Sequence, residues 1–180
     1  MNLPNKITTF RVILIPIFLI LMLVPSIPDG NIWALFVFIL ASVSDFLDGY
    51  LARKYHLVTN FGKFMDPLAD KLLVCAALIC LIELQRIPAW IVIIIIAREF
   101  IISGFRLIAA ESGVVIAASY WGKFKTTFQI LMVIVLILDL PGRAFQLAGA
   151  ALTWISLALT VVSLADYLIK NWQILKDKGE

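Results

Sequence analysis

The sequence predicts an all-α membrane protein, a six-transmembrane-helix bundle with a short N-terminal interfacial helix and with both termini in the cytoplasm. Three observations carry that expectation. Apolar and aromatic residues make up 62% of the chain and charged residues only 15%, far from the balance of a soluble domain. The apolar residues fall into runs of about the 20 residues that a helix needs to cross a hydrocarbon core. The basic residues gather at one end of these runs, as the positive-inside rule requires.

Taken in order, the segment from Met1 to Phe10 mixes polar and apolar residues and is the expected interfacial helix. The spans follow at roughly 10–25, 32–56, 62–84, 88–110, 120–139 and 145–170. Pro25-Ser26-Ile27-Pro28-Asp29-Gly30 closes the first span, Gln85-Arg86-Ile87-Pro88 separates the third from the fourth, and Pro141-Gly142 separates the last two. The first run follows Lys6 and Arg11 as a signal peptide would. It lacks a small-residue cleavage site and further spans follow it, so it is read as a retained helix. No repeat or linker interrupts the chain, and a single membrane domain over residues 1–180 is expected.

With the N-terminus inside, Lys6, Arg11, Arg53, Lys54, Lys63, Lys71, Arg98, Arg106, Lys123, Lys125, Lys170, Lys176 and Lys178 fall toward the cytoplasmic half, and Arg86 and Arg143 lie outside. Trp33 and Trp90 open helices at the outer interface, while Trp121 and Trp172 anchor the inner one. Glu83, Asp139 and Arg143 read as outer-rim charges, Asp166 and Lys170 as an i,i+4 pair, and His56 as a solvated loop residue. Cys75 and Cys80 have neither a CxxC nor a Cys/His pattern, which leaves buried thiols and no zinc site. A net charge of +3 is too small to imply nucleic acid as a partner.

The chemistry lies in the second and third spans. Asp45, Asp48, Asp66 and Asp70 sit in or beside membrane-embedded helix, where each uncompensated carboxylate costs roughly 2.5–3.5 kcal/mol. At about 100° per residue, Asp45, Asp48, Gly49, Ala52 and Arg53 share an arc of roughly 140°, and Gly62, Asp66 and Asp70 an arc of roughly 80°. Two such faces can converge on one polar pocket. Salt bridges to Arg53, Lys63 and Lys71 do not supply enough positive charge for four acids, whereas hard divalent cations such as Mg²⁺ or Mn²⁺ prefer oxygen ligands. Gly49, Ala52 and Gly62 leave room for a bulky ligand, although small residues in membrane helices also serve helix packing.

The run Asp45-Phe46-Leu47-Asp48-Gly49-Tyr50-Leu51-Ala52-Arg53, followed by Gly62, Asp66 and Asp70, resembles the full signature of the CDP-alcohol phosphatidyltransferases, position for position. That resemblance implies a plasma-membrane enzyme, bacterial in so compact a form, with its active site facing the cytoplasm. It also implies a homodimer and CDP-diacylglycerol as the lipid donor. By the same resemblance Asp45, Asp48, Asp66 and Asp70 hold two divalent cations, and Asp70 also takes the proton of the acceptor hydroxyl. Gly49, Ala52, Arg53 and Gly62 then bound the cytidine diphosphate.

The acceptor is read from shorter motifs. Leu3-Pro4-Asn5-Lys6-Ile7-Thr8-Thr9-Phe10-Arg11, Arg98-Glu99 and Gly122-Lys123-Phe124-Lys125-Thr126 resemble the branch of the family that uses glycerol 3-phosphate, which implicates Asn5 and Thr8 in substrate binding. A phosphorylated acceptor needs cations of its own, and Arg98 and Arg106, about 80° apart on the fourth span, with Lys123 on the fifth, are the candidates for an anion pocket. Lys125 projects from nearly the opposite side of its helix and is expected to snorkel to the headgroups. A structural pair of Arg98 with Glu99 is the alternative role for these two, although their consecutive spacing points the side chains apart. Two other readings stay open. One is a sister enzyme that uses inositol phosphate, serine or phosphatidylglycerol. The other is a cation-coupled transporter, which would spread its acids along a path or show repeated halves.

Overall fold

A computed structural model describes residues 3–54, 60–111, 116 and 119–176, with the side chains of 3–6, 45–54, 60–67, 70, 111 and 173–176 outside the described set. His56 also lies outside it. Among the described residues there are six helices: α1 Leu3–Leu23, α2 Gly30–Lys54, α3 Asn60–Glu83, α4 Ala89–Glu111, α5 Tyr120–Leu138 and α6 Arg143–Lys176. No strand occurs among the described residues. The expected interfacial helix is not separate, because α1 runs unbroken from Leu3. Pro4 is accommodated in its first turn, where a missing N–H leaves no helical bond unmade.

Two of these helices are long and apolar enough to cross a membrane, Tyr120–Leu138 and Arg143–Trp172, and shorter apolar stretches cover Ile7–Leu23 and Gly30–Ser44. Large apolar side chains face outward on several helices, among them Ile13 and Ile20 on α1, Ile32 and Phe36 on α2, and Ile93, Phe100 and Leu107 on α4. Water would not tolerate so extended an apolar surface, and lipid does. α4 carries Arg98, Glu99 and Arg106 within its apolar run, and of these Arg98 is buried and Arg106 exposed.

The chain divides into two compact units, Met1–Arg86 with Ile137–Asp139, and Ile87–Leu136 with Leu140–Glu180. In the first, α1 packs along α2 and also against α3. Its core is Leu14, Ile15, Phe18 and Met22 of α1, Ala34, Phe38 and Ala41 of α2, and Leu73, Ala77, Leu78 and Leu81 of α3. The Phe18 and Phe38 rings meet at 6.1 Å between centroids. The turn that makes α1 and α2 antiparallel leaves no space at Gly30, where a Cβ would lie 2.4 Å from the Leu21 carbonyl oxygen.

At the other end of α3, Gln85 takes φ 57°. The Gln85 N–H donates to the Ile82 carbonyl at 2.8 Å and the Arg86 N–H to the Leu81 carbonyl at 2.8 Å. This is a Schellman closure, which satisfies two carbonyls that the helix end would orphan. Arg86 then donates to the Ile137 carbonyl at 3.0 Å and to Asn31 Oδ1 at 3.4 Å, and pairs with Asp139 at 3.1 Å. One guanidinium thus ties a helix-terminal carbonyl to the start of α2.

In the second unit α4 and α6 run parallel, as shown by successive contacts of Trp90 with Trp154, Arg98 with Ser163, and Phe105 with Tyr167. The α6 face involved is Gly149, Thr153, Ser156, Thr160, Ser163 and Tyr167, all buried and spaced alternately four and three apart. Small residues at this spacing let membrane helices approach closely. Their hydroxyls are largely satisfied within α6, with Thr153 donating to the Gly149 carbonyl at 2.8 Å and Thr160 to the Ser156 carbonyl at 2.7 Å.

Gly30→Ala is expected to lower the detergent melting temperature measurably, by about 1–3 kcal/mol of stability, because the added methyl meets backbone rather than a side chain that can rotate away. A differential scanning measurement that finds no shift would show that the α1–α2 turn can open at no cost.

Candidate active site

Within the first unit, the motif residues occupy the last part of α2 and the first part of α3. Both segments are helical, so Asp45 and Asp48 are one turn apart on α2, and Asp66 and Asp70 are one turn apart on α3. The side chains of Asp45, Asp48, Gly49, Ala52, Arg53, Gly62, Asp66, Asp70 and Asn5 lie outside the described residues. α2 and α3 contact each other, and α1 contacts both.

The buried face of α1 changes character along its length. Met22, Phe18, Ile15 and Leu14 are apolar, whereas Arg11 and Thr8, toward the N-terminus, are 0% and 1% exposed. The Phe18–Phe38 contact sets the register of the antiparallel pair. Counting seven residues down α1 and seven up α2 at about 1.5 Å per residue brings Arg11 level with Asp45, and ten of each brings Thr8 level with Asp48. A guanidinium and a hydroxyl therefore enter the core at the height of the α2 motif. A fully buried guanidinium is stable only when it is matched by charge and hydrogen bonds, and Arg11 and Thr8 both have partners.

The second unit holds a charge cluster of different form. Arg98 is 8% exposed and Lys125 1%. Arg98 Nη1 pairs with Glu99 Oε1 at 3.1 Å, Lys125 Nζ pairs with the same oxygen, and Arg98 Nε donates to Ser163 Oγ at 3.1 Å. Two expectations are corrected here. Arg98 and Glu99 do not point apart, because both side chains are long enough to bend back across the 100° that separates their Cβ atoms, and a low dielectric rewards the contact. Lys125 does not snorkel outward, because its side of α5 faces the protein interior and Glu99 offers it a countercharge there.

The cations proposed for an anion pocket are placed differently from one another. Arg98 is buried, while Arg106 and Lys123 are exposed. Arg106 lies 6.0 Å from the Tyr167 ring centroid and within electrostatic reach of Arg98. Lys123 lies 5.5 Å from the Tyr120 ring, near the start of α5. That helix is capped by Ser119, whose Oγ accepts the Gly122 N–H at 3.1 Å. Gly122 faces Arg98, with a notional Cβ 3.4 Å from Nη2. The expected Asp166–Lys170 pair forms at 2.6 Å. Sequence reasoning missed Ser163, Tyr167 and the inward turn of Lys125. The alternating four-three spacing of small residues in α6 would have pointed to the first two.

A family model described as CDP-alcohol phosphatidyltransferase matches residues 1–162. The chain belongs to this family and is a transferase. Among its curated relatives is the CDP-diacylglycerol–glycerol-3-phosphate 3-phosphatidyltransferase of Bacillus subtilis (strain 168), 51% identical over 97% of both chains. A relative of the same name from Haemophilus influenzae is 44% identical over 93% of this chain and 91% of its own. Another from Rickettsia typhi is 38% identical over 92% and 94%.

Glu99→Gln leaves two buried cations without their shared carboxylate and is expected to destabilise the protein by up to about 3 kcal/mol, the low end for a buried pair because Glu99 is partly exposed. Adding Lys125→Met should recover part of the loss. A double-mutant cycle on detergent unfolding that shows strict additivity would contradict the pairing.

Proposed function

We propose that this chain transfers the phosphatidyl group of CDP-diacylglycerol to glycerol 3-phosphate, giving phosphatidylglycerophosphate and CMP. The observation that carries the reading is the similarity to relatives of that name over nearly their whole length. The intact motif on α2 and α3 supports it. In the reaction the acceptor hydroxyl oxygen forms a bond to the phosphorus that bears diacylglycerol, and the bond from that phosphorus to the CMP oxygen breaks. No covalent intermediate on the protein is needed.

The donor set fits divalent cations, because Asp45, Asp48, Asp66 and Asp70 offer only hard carboxylate oxygens. Among the described residues no other cluster of acids, histidines or cysteines competes for a metal. Two such cations, Mg²⁺ or Mn²⁺, when bound neutralise diphosphate charge and ease the departure of CMP. Asp70 accepts the hydroxyl proton, which requires an approach of about 2.6–3.2 Å or a single bridging water. Gly49, Ala52 and Gly62 admit the cytidine diphosphate, and Arg53 faces its charge.

Asn5 and Thr8 contribute to substrate binding, and Arg98, Arg106 and Lys123 serve the acceptor phosphate. The buried, preorganised guanidinium of Arg98 supports this assignment, since its Nη2 group keeps no partner among the described residues. The positive-inside pattern supports six spans with both termini and the active site on the cytoplasmic side of a bacterial plasma membrane. The family resemblance supports a homodimer within membrane lipid.

Purified protein given labelled CDP-diacylglycerol should release CMP when glycerol 3-phosphate and a divalent cation are supplied, and a chelator should stop it. Release with serine but none with glycerol 3-phosphate would overturn the acceptor. Asp70→Asn is expected to cut turnover by at least about 100-fold, the lower range of a general base, with the melting temperature little changed. Full activity in that variant would remove Asp70 from the chemistry.

A further inference from the structure

Arg11 of α1 is fully buried, and with Phe18 and Phe38 it is among the largest side chains that the fold removes from solvent altogether. A guanidinium keeps its charge at any ordinary pH, and it is tolerated in an interior only beside negative charge. α1 contacts α2 and α3, so those helices and their ends are where its unit can supply that charge. The unit holds seven acids, Asp29, Asp45, Asp48, Asp66, Asp70, Glu83 and Asp139.

Three of the seven lie at the far end. Asp29 sits in the turn beyond α1, Glu83 ends α3, and Asp139 pairs with Arg86 just past it. Twelve residues of helix, about 18 Å, separate Arg11 from the end of α1 that faces them.

The other four share its level. The Phe18–Phe38 contact brings Arg11 level with Asp45 in the antiparallel α1–α2 pair. Residues 55–59 can reach at most about 22 Å, well short of the roughly 37 Å length of α2, so α3 starts beside the end where α2 stops. Asp48 and Asp45 are six and nine residues from that end of α2, and Asp66 and Asp70 are six and ten residues into α3. A permanently charged cation thus enters the core at the height of four carboxylates. Such a group of acids repels itself when no cation is bound. A divalent ion comes and goes with its concentration, whereas a guanidinium on a packed helix stays.

We propose that Arg11 is the resident countercharge of the aspartate motif, stabilising the acid cluster when no metal is bound and weakening the pull of that cluster on divalent cations. This rests on the reading of Asp45, Asp48, Asp66 and Asp70 as metal ligands, and it is independent of which alcohol is the acceptor. Arg11 acts through the carboxylates and not on the reacting atoms.

The test compares Arg11→Met with wild type in purified full-length protein, since methionine fills much of the same length without charge. Melting temperatures are read in chelator and in saturating Mn²⁺, and Mn²⁺ affinity by titration calorimetry. The variant should lose more melting temperature in chelator than in Mn²⁺. Its dissociation constant for Mn²⁺ should fall at least about fivefold, because a like charge near the ion is gone. Arg11→Lys keeps the charge and should hold that constant within about twofold of wild type. If Arg11→Met does not accumulate, combining it with Asp45→Asn removes one charge of each sign and should restore folded protein in chelator; a double variant that also fails to fold would overturn the proposal. Equal losses with and without Mn²⁺ at unchanged affinity would overturn it too, since lost packing acts in both conditions. So would the absence of any loss in chelator. A wild-type protein whose melting temperature ignores Mn²⁺ would remove the metal reading itself, and this role with it.

Discussion

Lipid offers no hydrogen bonds and little screening, so a polar group taken into an apolar helix costs least where it is matched within the protein. That constraint explains features which would be unremarkable in a soluble domain. Arg98 and Lys125 share the single carboxylate of Glu99. The hydroxyls of Thr153 and Thr160 turn back to carbonyls of their own helix, and Arg86 closes a helix end by taking the Ile137 carbonyl. Each arrangement removes a group that the bilayer could not solvate, and together they fix which faces of the helices turn inward.

The same constraint links structure to chemistry. Four aspartates close together are costly unless cations neutralise them, and the cations proposed for them are also the reagents that the proposed diphosphate reaction needs. The proposed transferase activity is in this sense a use of charges that must be neutralised in any case. α1 illustrates how the protein prepares for them, since its core-facing side is apolar from Leu14 to Met22 and becomes polar at Arg11 and Thr8, level with the α2 motif. In the second unit Arg98 and Lys125 are buried together with Glu99, which pairs with both.

Much of this was legible before any coordinates. Six apolar runs correspond to six helices among the described residues, and the Pro- and Gly-containing breaks fall between them, although α1 passes Pro16 without ending. The motif was legible because its spacing matches the helical repeat. Less legible were the start of α1, where polar residues suggested a separate segment, and the fate of Lys125, where angular position on one helix says nothing about which neighbour faces it. The pairing of Arg98 with Glu99 escaped a rule based on Cβ directions, since the ends of long side chains are not bound by those directions.

The sequence by itself determined the helical class, the positions of the helix breaks and the family, because these depend on local periodicity and on residue chemistry. Only the tertiary structure decided that Lys125 turns inward to Glu99, that Ser163 steadies Arg98, that Arg11 sits at the level of Asp45, and that the Tyr167 ring packs edge-on against Phe105. Those outcomes depend on which helix faces meet and in what register, and such contacts between residues distant in sequence leave no mark on either helix alone.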